Sequence, residues 1–279
     1  MDTIITALSL QRFAAHLCQN EKSKATVVKY LHAVGELARF LGGATITKPR
    51  LLEHRDSLQQ TCRASTVNGR LSAINAYLDF LGLSAHKVKL LKIQHRAFLD
   101  ESKELTEAEY KRLLAAAKAR GNERLYLLLQ TLCSTGIRVG ELPSITVEAL
   151  RNGKAEIRLK GKSRIILLQK ELCNRLLWYA KCRGIVRGPV FCTRSGLPLD
   201  AANICHDMKK LCTQAGVRQE KVFPHNLRHL FARSFYAVEK NLAHLADILG
   251  HSRIETTRIY IAASASTHER VLRKMKLII

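Results

Sequence analysis

Residues 224–232 read Pro-His-Asn-Leu-Arg-His-Leu-Phe-Ala, residues 249–252 Leu-Gly-His-Ser, and residues 256–261 Thr-Thr-Arg-Ile-Tyr-Ile. His225 and Arg228 stand three apart, so a helix places both side chains on one face. His251 follows Gly250, a residue that can end a helix, and Tyr260 is expected to follow an acid-poor, hydroxyl-rich turn. Two imidazoles, a fixed cation and a phenol are the groups needed to attack a phosphodiester without a metal. The spacing of His225 and His229 also suits zinc on a helix, but no Glu follows His225 and Arg228 puts a positive charge between the two rings. Taken alone, Tyr260 reads equally well as a buried aromatic with a hydrogen-bonded hydroxyl.

The bulk numbers narrow the partner. The 279 residues carry 46 Lys and Arg against 23 Asp and Glu, a formal charge of +23. Hydrophobic residues make up 47%, enough for true cores, so the chain is not a disordered basic tail. An excess of this size points to a polyanion. It is spread along the chain, with 14 basic and 7 acidic side chains in residues 1–100 and 32 and 16 in the remainder. No segment is long enough to span a membrane and the N-terminus lacks a basic secretory start, so the expected location is cytoplasmic, with no membrane partner. The eight cysteines show no Cys-x-x-Cys pair and read as free thiols in a reducing compartment.

Upstream, residues 1–95 carry helical periodicity throughout. Helices are expected over Ser9–Cys18, from about Lys24 to a stop at Gly42-Gly43, from about Lys48 next to Pro49, and from after Ser65 to Gly82. Arg63, Arg70, Lys87 and Lys89 are candidates to face phosphates. Residues 96–104 show no clear period and read as a linker. Thr106 and Glu109 then form a capping box that opens a second domain, 105–279. Leu125–Leu132 is almost wholly apolar and predicts a buried helix. Arg138 and Glu141 lie three apart, so the carboxylate can brace the guanidinium. Residues 155–168 switch to strand periodicity and predict two strands joined at Gly161-Lys162, with Asn152-Gly153 suggesting a third strand. Lys160 closes the first strand, and Lys162 and Arg164 are candidates to touch a nucleic-acid backbone. The fold class is therefore mainly α with a small antiparallel sheet, a helical bundle followed by an α+β domain.

The ordered set Arg138, Lys160, His225, Arg228, His251 and Tyr260 resembles the tyrosine recombinase (phage integrase) family, in particular its two-domain Xer-type and transposon-integrase members. Thr135-Gly-Ile-Arg-Val-Gly-Glu-Leu142 resembles the first-arginine motif, and residues 63–81 resemble the last helix of the family's SAM-like core-binding domain. The resemblance implies a DNA strand transferase that works through a 3′-phosphotyrosine at Tyr260, with no metal or cofactor. In that scheme Arg138, Arg228 and His251 bind the phosphate, His225 is the base or a hydrogen-bond partner, Lys160 the acid, and Glu141 and His229 orient the others. It also implies double-stranded DNA as partner, a nucleoid-associated homo-oligomer, expected to be a tetramer on DNA, and a docking helix at Thr267–Ile279. A topoisomerase-like relaxation enzyme and a non-catalytic DNA-binding relative are the alternatives. The sequence departs from the family pattern at Ala149, where an acid is common, and in its short hairpin, which lacks the usual proline.

Overall fold

The computed structural model describes residues 4–93, 100–159, 162–193, 195–251 and 253–261. The chain divides into two compact units, Met1–His95 and Arg96–Ile279.

In the first unit, α1 (Ala7–Gln19), α2 (Lys24–Leu41), α3 (Lys48–Thr61) and α4 (Ala64–Phe80) surround one apolar core. Helix starts are written locally. Thr6 and Ser9 exchange hydrogen bonds in a capping box, and Ser23 caps α2. Gly42 ends α2 in the left-handed conformation at φ 59°. Phe13, Leu37, Leu71, Ile74, Tyr77 and Leu78 are buried at the centre. Phe13 meets Tyr77 edge-on at 5.0 Å, and the Tyr77 hydroxyl donates to Ser9 Oγ at 2.6 Å. Two asparagines on α4 hold the departing chain. Asn75 exchanges two hydrogen bonds with Val88, at 2.8 and 3.0 Å, and Asn68 two with Leu91, at 2.9 and 2.7 Å. That satisfies backbone groups which no strand pairs.

The second unit starts with α5 (Glu107–Ala119), opened by the Thr106–Glu109 capping box, and α6 (Glu123–Thr135). A 3₁₀ turn (Val139–Ser144) and α7 (Val147–Arg151) lead into β1 (Lys154–Leu159) and β2 (Lys162–Leu167). Then come α8 (Lys170–Cys182), α9 (Ala201–Lys210), α10 (Cys212–Ala215), α11 (Pro224–Val238), α12 (Leu242–Leu249) and α13 (Ile254–Ile261). Leu125, Leu127, Leu128, Leu129 and Leu132 of α6 lie buried in the core, and α11 packs along α6.

Three details differ from the sequence reading. Among the described residues the sheet has two strands, not three. The residues before Asn152 are helical because Thr146 caps Ala149 and starts α7, so Asn152-Gly153 turns a helix into β1. Lys162 is the first residue of β2, paired with Leu159, rather than part of the turn. Tyr260 lies on a helix, α13, rather than after a turn. All eight cysteines are free thiols, and no described helix is long and apolar enough to cross a membrane.

Candidate active site

The site forms where two helices end. Helix α6 terminates at Gly136 (φ 63°) and α12 at Gly250 (φ 64°), both left-handed. At the end of α12, His251 N–H bonds the Ala246 carbonyl and Gly250 N–H the Asp247 carbonyl, the paired bonds of a Schellman cap. The carbonyls of Gly136 and Leu249 are left pointing outward, at the negative ends of two helix dipoles.

Arg228 occupies that position. It projects from α11 and is 1% exposed. Its Nη1 donates to the Gly136 carbonyl and its Nη2 to the Leu249 carbonyl at 2.7 Å. A buried cation needs compensation, and here two helix C-termini supply it in place of a carboxylate. Burial lowers the Arg228 pKa, as does Arg138; the neighbouring Tyr260 hydroxyl acts in the opposite direction. Both glycines are required. A Cβ at Gly136 would run into the Phe231 ring and one at Gly250 into the Arg164 guanidinium, and both backbones have positive φ.

His251 is fixed from both sides. Its Nε2 lies 2.9 Å from Arg228 Nη2 and its Nδ1 2.8 Å from Thr257 Oγ1. A guanidinium only donates, so Nε2 accepts, and the neutral ring carries its proton on Nδ1. Burial first, and then Arg228, Arg138 and Arg164, push this imidazole down to about 4. His225, one turn before Arg228, keeps an exposed edge, and partial burial of its ring, then His229 and the two arginines, push it down to about 4. Both rings are therefore neutral near pH 7.

Glu141 gathers a second set of cations. Its carboxylate accepts from Arg138 N at 2.7 Å, Arg138 Nη1 at 3.0 Å and Arg164 Nη2 at 2.6 Å. The Arg138 side chain remains 40% exposed while that of Glu141 is 3% exposed, so the guanidinium is braced yet open to a ligand. Arg164 also donates to the Leu249 carbonyl, the oxygen that holds Arg228. Its side chain, a candidate for contact with a nucleic-acid backbone, is 13% exposed. It lies opposite Ile157 in the ladder and shares the inward parity of the buried Ile166 and Leu168. Burial lowers its pKa to about 10.

Tyr260 completes the group. It is 4% exposed, on a small apolar bed with Ala232, Leu245 and Leu249. Its ring centroid is 4.5 Å from that of His229, 5.5 Å from His251 and 5.8 Å from His225. The structure thus brings together Arg138, Glu141, His225, Arg228, His229, His251 and Tyr260. Lys160 lies outside the described residues, as do Thr267–Ile279. Glu104, Thr257 and the Leu249 carbonyl also belong to the site, and the sequence reading passed over all three. Thr257 stands three residues before Tyr260, on the helix face that meets His251.

In the first unit, Arg63 and Lys89 are exposed, Arg70 pairs with Glu36 at 3.2 Å and Lys87 with Asp79 at 2.5 Å. A cleft of about 270 Å³ between α2 and α4 is lined by Lys29, His32, Ser65, Thr66, Gly69 and Arg70.

Comparison with known proteins gives the family and the fold. The chain belongs to the phage integrase family, whose pattern matches residues 103–267. Within it the protein is a site-specific tyrosine recombinase. The tyrosine recombinase XerA of Pyrococcus horikoshii is 27% identical over 285 residues, covering 99% of this chain and 96% of its own. The fold matches the XerH site-specific recombinase bound to difH substrate in a pre-cleavage complex. The TM-score is 0.72 at 20% identity, over 96% of this chain and 84% of that one. A lambda integrase tetramer bound to a Holliday junction matches with TM-score 0.72 at 19% identity, over 93% and 78%.

Proposed function

We propose that the second unit cleaves and rejoins duplex DNA through Tyr260, with Arg138 and Arg228 holding the scissile phosphate. The convergence of Tyr260, three imidazoles and the doubly anchored Arg228 carries this reading. The phenol oxygen attacks phosphorus in line, the bond to the 5′-oxygen breaks, and a 3′-phosphotyrosine retains the bond energy. Charge gathers on the non-bridging oxygens, where two guanidinium forks are the fitting donors. His225, neutral near pH 7, accepts the phenol proton, and a bound phosphate raises its basicity. Lys160 gives a proton to the leaving 5′-oxygen, a contribution of roughly 10²–10⁴ in rate. His251 acts through Arg228, because its Nε2 has no proton to donate to phosphate. Attack by another 5′-hydroxyl reverses the steps and joins new ends.

The +23 charge and the basic cleft between α2 and α4 support duplex DNA as the partner of both units. Arg70 and Lys87 are held only by surface ion pairs, which a phosphate can displace at small cost. Four strand cuts on two duplexes require four active sites, so the assembly is a tetramer on DNA, with Thr267–Ile279 docking on a neighbouring protomer. The lambda integrase tetramer on a Holliday junction supports that arrangement. The cellular location is cytoplasmic, at the nucleoid.

Covalent capture tests the reading and finds the target sequence in the same step. The full chain is incubated with a pool of nicked duplexes of randomised sequence, and denaturant-resistant adducts are recovered and sequenced. The recovered DNA should converge on one site, with the nucleotide mapped to the Tyr260 peptide by mass spectrometry. Adducts that persist in Tyr260→Phe, or none with the wild-type chain, would overturn it.

A further inference from the structure

Glu104 ends a stretch without periodicity, and nothing beside it in sequence marks it as part of a site. In the structure the residue is 7% exposed. A buried carboxylate remains charged only where donors surround it. Those donors come from α11: His229 Nδ1 lies 3.1 and 3.2 Å from the two oxygens, and Arg233 Nη2 lies 3.6 Å from one of them. Burial pulls the Glu104 pKa up, but His229, Arg233 and His225 outweigh it, and the net shift is downward.

The backbone on either side is gripped by the same helix. Asn226 Nδ2 donates to the Lys103 carbonyl at 2.8 Å, and Arg233 Nη2 donates to the Leu105 carbonyl at 2.5 Å. Asn226, His229 and Arg233 follow at three and then four residues, along one stripe of α11. Three consecutive residues are thereby strapped to the helix that presents His225 and Arg228.

The strap meets the reacting group through one ring. His229 stands edge-on to Tyr260, with centroids 4.5 Å apart and planes at 78°, and at 4.7 Å and 66° to His225. A charged carboxylate accepts and never donates, so the His229 proton is on Nδ1. Contact with both carboxylate oxygens also fixes the tilt of the ring. We propose that Glu104 is a positioning residue for strand cleavage: it sets the tautomer and plane of His229, and His229 sets the plane of the Tyr260 phenol. The inference rests on Tyr260 being the nucleophile. In-line attack is sensitive to misplacement of the reacting oxygen, and loss of the partner that orients a metal-bound histidine, a similar hydrogen bond, costs about 10- to 100-fold.

The test uses the full chain and a duplex recovered by covalent capture. The single-turnover rate of adduct formation is measured at saturating protein, and affinity for the same duplex is measured separately. Glu104→Leu fills the volume without accepting a hydrogen bond, and should lower the rate about 10- to 100-fold with affinity within roughly threefold. Glu104→Gln still offers an oxygen to Nδ1–H and should restore most of the rate. His229→Ala should lose as much as Glu104→Leu, and the double variant no more than the worse single one. A second readout needs no DNA. Two-bond ¹⁵N–¹H correlation should show His229 protonated on Nδ1 in the wild type and in Glu104→Gln, and changed in Glu104→Leu. Losses that multiply in the double variant, a Glu104→Leu rate within twofold of wild type, or an unchanged His229 tautomer in that variant would each overturn the proposal. If Glu104→Leu does not fold, His229→Ala decides alone, and a rate within twofold of wild type removes the relay. If the wild-type chain forms no adduct, the Tyr260 reading fails, and the tautomer measurement still decides whether Glu104 governs His229.

Discussion

Helix α6 serves two regions built on opposite principles. Its side, Leu125 to Leu132, belongs to a dry core of aliphatic residues shared with α5, α8 and α11. Its end, Gly136, joins the end of α12 in a polar socket for Arg228. In the core, attraction is non-directional and spread over many contacts, so no single pair sets the geometry. In the socket a few directional bonds hold Arg138, Arg228 and His251, and Tyr260 rests on three buried apolar residues. Stability therefore resides mainly in helix faces and reactivity in helix ends, and substitutions should separate the two.

The sharpest separation is expected at Tyr260. Tyr260→Phe keeps the ring on its apolar bed, so thermal melting should hardly move while covalent adducts vanish; a large fall in melting temperature would merge the two regions again. Leu129→Ala attacks the other side of the comparison. It should cost about 2–5 kcal/mol in urea unfolding, with the cleavage rate per folded molecule within roughly twofold of wild type. Arg164→Met comes next, because it withdraws one cation from the Leu249 carbonyl and one from Glu141 while adding no strain. The adduct-forming rate should drop about 10- to 100-fold with little change in stability. A rate equal to wild type would show that Arg138 and Arg228 hold their places unaided.

The smallest effect is the pH response of the socket. His225 and His251 have folded-state pKa values near 4 against an ordinary 6.5, so between those values the unfolded chain takes up protons that the folded chain refuses. Their stabilisation is complete above about pH 6.5 and is lost as pH falls toward 4. The slope from each is at most about 1.4 kcal/mol per pH unit, and less for the exposed His225. Urea midpoints from pH 7 to 4.5 should fall, and His251→Gln should flatten the decline. An identical decline in that variant would place the titration elsewhere.

What the sequence makes legible follows the same division. Helix faces are periodic, so the stripes of α2 and α4 and the apolar run of α6 can be read directly. Caps are local, so Thr106–Glu109 and Gly250 can be read too. The third strand expected near Asn152 is absent from the described residues because Thr146, a cap four residues upstream of Leu150, already commits that stretch to a helix. Arg164 reads by its charge as a candidate nucleic-acid contact, while its parity with Ile166 and Leu168 marks a side chain on the inward face. Glu104 is illegible for a different reason. Its partners are 125 and 129 positions away, and a carboxylate that meets its donors only in the fold leaves no local pattern.

The Leu249 carbonyl has two lone pairs, and each is taken by a different guanidinium. Every amino acid carries the same carbonyl, so this anchor is encoded by no side chain. Drift at position 249 can replace leucine by other apolar residues without touching it. The constraint falls instead one place later, on the glycine whose handedness turns that oxygen toward the arginines. The placing of two guanidinium groups thus depends on a residue that bears no functional group at all.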